Sequence, residues 1–309
     1  MEKTEPSVVV VIPNFNLKYD LDECLDTLQV SHYSNLHVIV VDNASTDDSV
    51  AYIEKKHPWV ETLICNKNDG YAAALDDGIR ASGKYNPEYV LILNNDTLVP
   101  PETIGELVRI AQEDPKIAIA APKIIYHNQP DRIFSLGDRI YPCLPLPVRF
   151  GLHKKDRPRY RGIFEFDYVF GCAFLVRAKV FYDVGLFDTS FFMFYEDADF
   201  CRRVRDAGWR ILRVGSAIIR HKASLSVKKE LSLMIYYRAR NRSRFYRRYK
   251  HGPHPIFTFF ALFLGSFWTV MKDLVSGKTS YVKPYLQGAW TGFKEELPPR
   301  TGIDWINKA

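Results

Sequence analysis

VVVVIPNFN (8–16), HVIVVDNAST (37–46), VETLIC (60–65) and YVLILNNDT (89–97) decide the fold of this chain. Each begins with a short run of aliphatic and β-branched residues. The runs are continuously apolar rather than alternating, so both faces of each strand need cover, as in a parallel sheet. Helical patterns fill the intervals at 20–28, 46–55 and 70–81. Strand–helix alternation of this kind predicts βαβ units and an α/β fold with a mostly parallel sheet. Ligands of such sheets bind just past the carboxyl ends of the strands. The polar clusters PNFN, DNASTDD and NNDT all fall there.

Further along, 101–113 reads as a helix and IAIAAP (117–122) as a strand. Residues 123–166 are irregular and rich in Pro, Arg and Tyr, and read as a long loop or flap. YVFGCAFLVR (168–177) reads as a strand pair or one long strand, 197–207 as a helix closed by Gly208, and WRILRV (209–214) as a strand. From Val227 the pattern becomes long helices, then a Pro/Gly-broken tail after Gly277. The expected division is a catalytic domain over 1–226 and a helical extension over 227–309.

The chain has 309 residues, 47% hydrophobic and 25% charged, which excludes a disordered chain, a collagen and a disulfide scaffold. Its net charge of +6 is unevenly spread. Residues 210–309 hold 19 Lys+Arg against 5 Asp+Glu, or +14, which leaves −8 for residues 1–209. An acidic body with a basic C-terminal third suggests a polyanionic partner. Cys24, Cys65, Cys143, Cys172 and Cys201 are odd in number and form no C-x-x-C, which argues against structural zinc and for a reducing compartment. The polar start and the short run at 8–12 do not make a signal peptide, so a cytoplasmic protein is expected.

Three clusters can carry chemistry. Asp42, at a strand end before Asn43, Ser45 and Thr46, can accept hydrogen bonds from a ribose diol or a base N–H. Helix capping would explain the two hydroxyls but not Asp42-Asn43. In LNNDT (93–97) a lone carboxylate, Asp96, is flanked by Asn94 and Asn95. That suits a hard divalent cation sharing diphosphate oxygens, although an Asx turn has the same composition. FMFYEDADFCRRVRDAGW (192–209) places aromatic residues before Glu196, Asp197 and Asp199. Asp199 and Arg203 are an i,i+4 pair. Glu196-Asp197 at a helix start beside an aromatic wall suits a general base. His221 lies at the end of the next strand. No G-x-G, Walker loop, G-x-S-x-G or H-E-x-x-H occurs.

Together IPNFN (12–16), VVDNAS (40–45), NDGYAAALDDGI (68–79), LNNDT, GCAFLVR (171–177) and the 192–209 segment resemble glycosyltransferase family 2, in particular rhamnosyltransferase-like bacterial members. The resemblance covers about residues 7–225. It implies a GT-A fold and inverting sugar transfer from a nucleotide sugar such as dTDP-rhamnose or a UDP-sugar. It places Pro13, Asn14 and Asp42 on the nucleoside, with Asn43, Asn68, Gly70 and Asn95 around nucleotide and donor. Asp96 becomes the ligand of a divalent cation, Mg²⁺ or Mn²⁺, and His221 a group that touches metal or diphosphate. Asp197 becomes the base, with Glu196 the alternative. The chain departs from the family pattern at Asn94, in place of the first Asp of D-x-D, and at Ala74 and Asp76.

MIYYRARNRSRFYRRYKHG (234–252) carries seven basic residues and no acid, and PIFTFFALFLGSFWTVM (255–271) carries no charge. The apolar run, about 24 Å long as a helix, is short for a membrane span. The expectation is an interfacial helix with the arginines on anionic headgroups, holding the protein on the inner face of the cell membrane near a glycan or lipid-linked acceptor of surface-polysaccharide synthesis. The alternative is a helix packed on the catalytic domain. Nucleic acid shares the basic-aromatic signature, but the uncharged run favours lipid. A nucleotidyltransferase would need a Gly-rich basic loop where PNFN stands. A non-catalytic adaptor gives no reason for Asp42, Asp96 and Asp197.

Overall fold

A computed structural model describes residues 5–139, 148–223, 231–249 and 255–297. The first half alternates as expected: β1 (Val8–Asn14), α1 (Lys18–Gln29), β2 (Leu36–Asp42), α2 (Ser49–Lys56), β3 (Glu61–Ile64), α3 (Tyr71–Ser82) and β4 (Tyr89–Leu93). The strands β3-β2-β1-β4 run parallel. Alternate residues of β1 feed different cores. Val8, Val10 and Ile12 pack with α1 and α4 (Thr103–Glu113), and Val9 and Val11 pack with α3. Burial on both faces is why the strand is continuously apolar.

Beyond β4 the sheet becomes mixed. β5 (Thr97–Leu98) is followed by α4 and β6 (Ile117–Tyr126). The expected loop over 123–166 instead holds the end of β6 and the short strands β7 (Ile133–Ser135), β8 (Asp138–Arg139), β9 (Val148–Arg149) and β10 (Ile163–Glu165). Edge pairing outweighs the poor local propensity: β7 pairs with β6, and β10 with β12 (Arg210–His221). The strand expected over 168–177 is shorter, β11 (Ala173–Arg177), antiparallel to β4. Tyr168 and Gly171 are instead drawn to Asp197, on α6 (Glu196–Asp206), which follows α5 (Lys179–Val184). The observed order is β10-β12-β6-β11-β4-β1-β2-β3.

The boundary expected at 226 lies outside the described residues. α7 (Leu231–Tyr249), α8 (Pro255–Val275) and α9 (Thr279–Lys294) follow. The broken tail expected after Gly277 is therefore a helix through Lys294, with Pro284 inside it. Gly288 and Gly292 are not breakers. They lie one turn apart against the backbone carbonyls of Tyr236 and Arg240, where a Cβ would collide, so they allow α9 to lie flush on α7.

Arg240, Arg244, Arg247 and Arg248 of α7 turn to partners within the protein rather than to headgroups, contrary to expectation, whereas Arg238 is exposed. Arg240 and Arg244 donate to Ser190 O at 3.0 and 2.8 Å. Arg244 pairs with Glu295, Arg247 donates to Gly292 O at 2.9 Å, and Arg248 pairs with Asp188 and Asp199. A guanidinium with a buried carboxylate or carbonyl partner gains more than one in water. Lys250 lies outside the described residues.

Candidate active site

The expected nucleotide residues form one hydrogen-bonded network at the ends of β1, β2 and β4. Asn95 Nδ2 donates to Asn14 Oδ1 at 2.7 Å, and Asn14 Nδ2 donates to Asp42 Oδ1 at 3.0 Å. Ser45 holds both Asp42 oxygens, through its hydroxyl at 2.5 Å and its N–H at 2.9 Å. Neither Ser45 nor Thr46 caps α2, which starts at Ser49 rather than at 46 and takes no side-chain cap. Asn43 N–H donates to Asn14 O at 2.8 Å, and its Nδ2 reaches Asn68 Oδ1 at 2.9 Å. Asn68 Oδ1 accepts in turn from Gly70 N–H at 3.0 Å. Gly70 has φ +96°, and a Cβ there would strike Phe192, so only glycine fits this turn. Pro13 stands in β1 opposite Val41.

Asp96 and His221 meet because β5 pairs with the end of β12, placing Thr97 opposite His221. His221 is the last residue of β12, and its Nε2 lies 3.1 Å from Asp96 Oδ1. Its ring stands edge-on to Phe134 and is tilted against Phe170. His221 Nδ1 is buried without a hydrogen-bond partner among the described residues. One oxygen and one nitrogen donor this close, both buried, fit a divalent cation that takes its other ligands from diphosphate and water. Asn94 does not join them, since the Tyr71 hydroxyl lies 2.7 Å from its Oδ1. A second cluster, Asp22, Asp26 and His57, has metal-like spacing. There Lys56 Nζ lies 2.6 Å from Asp22 and 3.1 Å from Asp26, so an ammonium already supplies the positive charge.

The third group lines a cavity of about 670 Å³ between the sheet and the C-terminal helices. Asn94, Tyr71, Tyr168, Glu196 and Asp197 form its floor. Asp197 Oδ2 accepts from the Tyr168 hydroxyl and Gly171 N–H, both at 2.8 Å, and Oδ1 accepts from Ala198 N–H at 2.8 Å. Burial pushes the Asp197 carboxyl up, and the three donors oppose that shift. Glu196 is pushed up further by burial and by the charge of Asp197, and its Oε2 has no hydrogen-bond partner among the described residues. The less opposed pressure on Glu196 leaves Asp197 the readier of the two to ionise. Asp199 takes the expected partner: Arg203 Nε lies 2.8 Å from its Oδ2.

The approach to Glu196 is strained. Phe192, Phe194 and Tyr195 all have positive φ, at 64°, 66° and 71°. Three such residues cost on the order of 1–3 kcal/mol each. Asn241 of α7, fully buried, brings its Nδ2 to 2.7, 2.8 and 3.0 Å from the carbonyls of Phe191, Met193 and Phe194. This clamp escaped the sequence reading, as did Tyr168 and Gly171. The basic segment 234–252 and YVFGCAFLVR were both singled out, but neither pattern says which side chain turns toward the carboxylates or the loop before them. Asp76, a further departure from the family pattern beside Asn94 and Ala74, is structural. Its Oδ1 accepts from Phe187 N–H at 2.9 Å, and burial raises its pKa to about 8.

A family model described as Glycosyl transferase family 2 matches residues 9–185. The low-salt glycan biosynthesis hexosyltransferase Agl10 of Haloferax volcanii is 27% identical, covering 85% of this chain and 83% of its own. The N-acetylglucosaminyl-diphospho-decaprenol L-rhamnosyltransferase of Mycobacterium tuberculosis is also 27% identical, covering 66% of this chain and 72% of its own. Among solved structures, the mannosyltransferase PcManGT of Pyrobaculum calidifontis, in complex with GDP-Man and Mn²⁺, superposes with a TM-score of 0.58 at 17% identity. That match covers 94% of this chain and 88% of the neighbour, and the shared fold is GT-A.

Proposed function

This chain belongs to glycosyltransferase family 2, and from that premise we propose that it transfers a sugar, with inversion, from a nucleotide-diphosphate donor to a hydroxyl of a glycan or lipid-linked acceptor. One observation carries the reading: the cavity holding Glu196 and Asp197 reaches Asn94, the neighbour of the Asn95–Asn14–Asp42 network. Asp42, fixed by Asn14 and Ser45, retains acceptor capacity for a ribose diol or base N–H. Asn68 and Gly70 shape the turn beside the donor. The acceptor hydroxyl enters the cavity, and Asp197 takes its proton as the oxygen attacks the anomeric carbon opposite the diphosphate. The aromatic loop before Glu196 keeps water from that carbon. Asp96 and His221 would hold a divalent cation, which when bound stabilises the charge of the departing diphosphate.

The relative from Mycobacterium tuberculosis supports rhamnose as the first sugar to test, from dTDP-rhamnose, with UDP-sugars next. In this reading residues 1–226 are the catalytic unit, and the extension over 227–309, whose α7, α8 and α9 line the cavity, binds the cytoplasmic face of a membrane. No helix among the described residues is long and apolar enough to cross one. α8 nevertheless turns Phe263, Leu264, Phe267 and Trp268 outward at 57–72% exposure, and α9 adds Trp290 and Phe293. Lys278, Lys283 and Lys294 are also exposed, and Lys294 lies over the Trp290 ring at 4.8 Å. Exposed apolar side chains accompanied by lysines suit the interface of an anionic bilayer.

The test is nucleoside-diphosphate release from dTDP-rhamnose, UDP-sugars and GDP-mannose, with and without Mn²⁺. Absence of turnover with every donor, despite a folded protein and a range of glycan acceptors, would sink the reading. Asp96→Ala should abolish cation-dependent nucleotide binding and leave the melting profile intact. Full Mn²⁺-dependent turnover in that variant would remove Asp96 from the cation site.

A further inference from the structure

The cavity has a second wall that the transfer chemistry does not use. α7 contributes Arg238 and Arg242, α8 contributes Thr269 and Lys272, and α9 contributes Tyr285. Arg242 is only 4% exposed. Its Nη2 donates to Ser266 Oγ at 2.7 Å, and its guanidinium lies 5.5 Å from the Tyr285 ring centre. Its Nε has no hydrogen-bond partner among the described residues. Nor does any described carboxylate form an ion pair with Arg238, Arg242 or Lys272, whereas Arg244 and Arg248 on the same helix both have acid partners. A buried cation with an unmet donor is costly unless an anion completes it.

The acids of the cavity do not cancel this wall. Asp138 has Arg149 3.8 Å away, Asp197 is held by Tyr168, Gly171 and Ala198, and among the described residues none of the cavity acids is ion-paired to Arg238, Arg242 or Lys272. Nor is the wall the donor's diphosphate site. Asp96 and His221 do not line the cavity but adjoin it, the Phe170 ring of its lining lying 6.5 Å from that of His221. With the donor's diphosphate assigned to Asp96 and His221, the anion that completes Arg242 is a second one. Trp268 and Met271, on either side of Thr269 in sequence, are exposed, so the cationic wall adjoins the outward apolar face of α8.

Resting on the transferase reading above, the geometry points to an acceptor-phosphate subsite: Arg238, Arg242 and Lys272 bind the phosphate or diphosphate that joins the acceptor sugar to an apolar lipid. The sugar hydroxyl then lies toward Asp197, and the lipid leaves along α8 into the bilayer interface. Guanidinium and ammonium groups together suit a diphosphate, which offers oxygens to both. The cavity has room for a sugar and its phosphate.

The test is equilibrium binding of farnesyl diphosphate to the full chain, with its nucleotide site saturated by dTDP or UDP and Mn²⁺. Farnesol, inorganic pyrophosphate and phosphatidylglycerol vesicles serve as comparisons. Farnesyl diphosphate should bind without displacing nucleotide, farnesol should bind at least tenfold more weakly, and pyrophosphate should compete. Arg242→Gln and Lys272→Gln should each weaken farnesyl diphosphate binding about tenfold or more, the loss expected for one charged hydrogen bond. Lys272 is exposed, so its variant keeps the test alive if Arg242→Gln fails to fold. Displacement of nucleotide by farnesyl diphosphate would make the wall part of the donor site and overturn the proposal. So would equal binding of farnesol, or substitutions that weaken only vesicle binding, which would assign the cations to bulk headgroups. Failure to bind any nucleotide would instead strike the transferase reading, a separate result.

Discussion

Tyr168→Phe removes one hydroxyl from the cavity floor and keeps the ring that packs there. That hydroxyl donates to Asp197 Oδ2 at 2.8 Å, and the Gly171 and Ala198 N–H bonds remain in the variant. A hydrogen bond to a charged group contributes about 1.5–3 kcal/mol, and one pKa unit corresponds to about 1.4 kcal/mol. Losing a donor to the carboxylate disfavours its ionised form, so the Asp197 pKa should rise by about 1–2 units beyond the rise burial already causes. Tyr168 itself is pushed well above its usual value by burial, so it stays a donor throughout the working range. A base must be ionised to act. The acidic limb of kcat/KM against pH should therefore move to higher pH by the same about 1–2 units. The rate at high pH should recover to within a few-fold, and the donor KM should not change. Nucleoside-diphosphate release on both proteins across pH gives the comparison. An acidic limb left in place, whether or not the plateau falls, would refute the idea that this bond tunes the base.

The remaining predictions concern other parts of the molecule. Asp197→Asn should keep donor binding and lose roughly 10²–10⁴ in transfer rate; near-normal turnover there, with loss in Glu196→Gln, would exchange the two roles. Asp76, with a folded pKa of about 8 against 3.8, holds its proton in the fold, so its contribution to stability is full below about pH 4 and is lost as pH rises through about 8. Asp76→Asn should accordingly flatten the decline in melting temperature over that window, as thermal denaturation at stepped pH would report. Trp268→Glu with Leu264→Glu should release the protein from anionic vesicles in co-sedimentation without lowering its melting temperature. Arg248→Glu should instead lower the melting temperature, because it sets a like charge against Asp188 and Asp199.

The parallel strands β1, β2 and β4 were legible because their cores are buried on both faces, and Val8–Ile12 leaves no polar alternative; β3 sits partly exposed at the sheet edge. β7 and β10 were not, since their formation depends on an edge supplied from distant sequence. At the site, the strand-end polar clusters were readable because the topology fixes where those ends go. The grouping of Asn14 with Asp42, and of Asp96 with His221, came instead from the family resemblance, and the structure brings each set within hydrogen-bond distance. Tyr168 and Asn241 escaped the strand-end reading because they act from a coil segment and a distant helix, where no periodicity points inward. The α7 arginines misled for a related reason: composition gives their charge, but only the fold supplies Asp188, Asp199 and Glu295 opposite them.

The Asn241 clamp also sets an order of events during synthesis. Chains emerge from the ribosome N-terminus first, so the sheet, the Asn95–Asn14–Asp42 network and the Glu196-Asp197 pair are all made before α7 exists. Until Asn241 and Arg240 emerge, the loop from Ser190 to Phe194 lacks the partners that hold its left-handed residues. Arg238 and Arg242 of the cationic wall arrive with α7, and Lys272 and Tyr285 follow on α8 and α9. On the proposed function, a nascent chain completes its strand-end network before its cavity wall, and the wall waits on α7 and the helices after it.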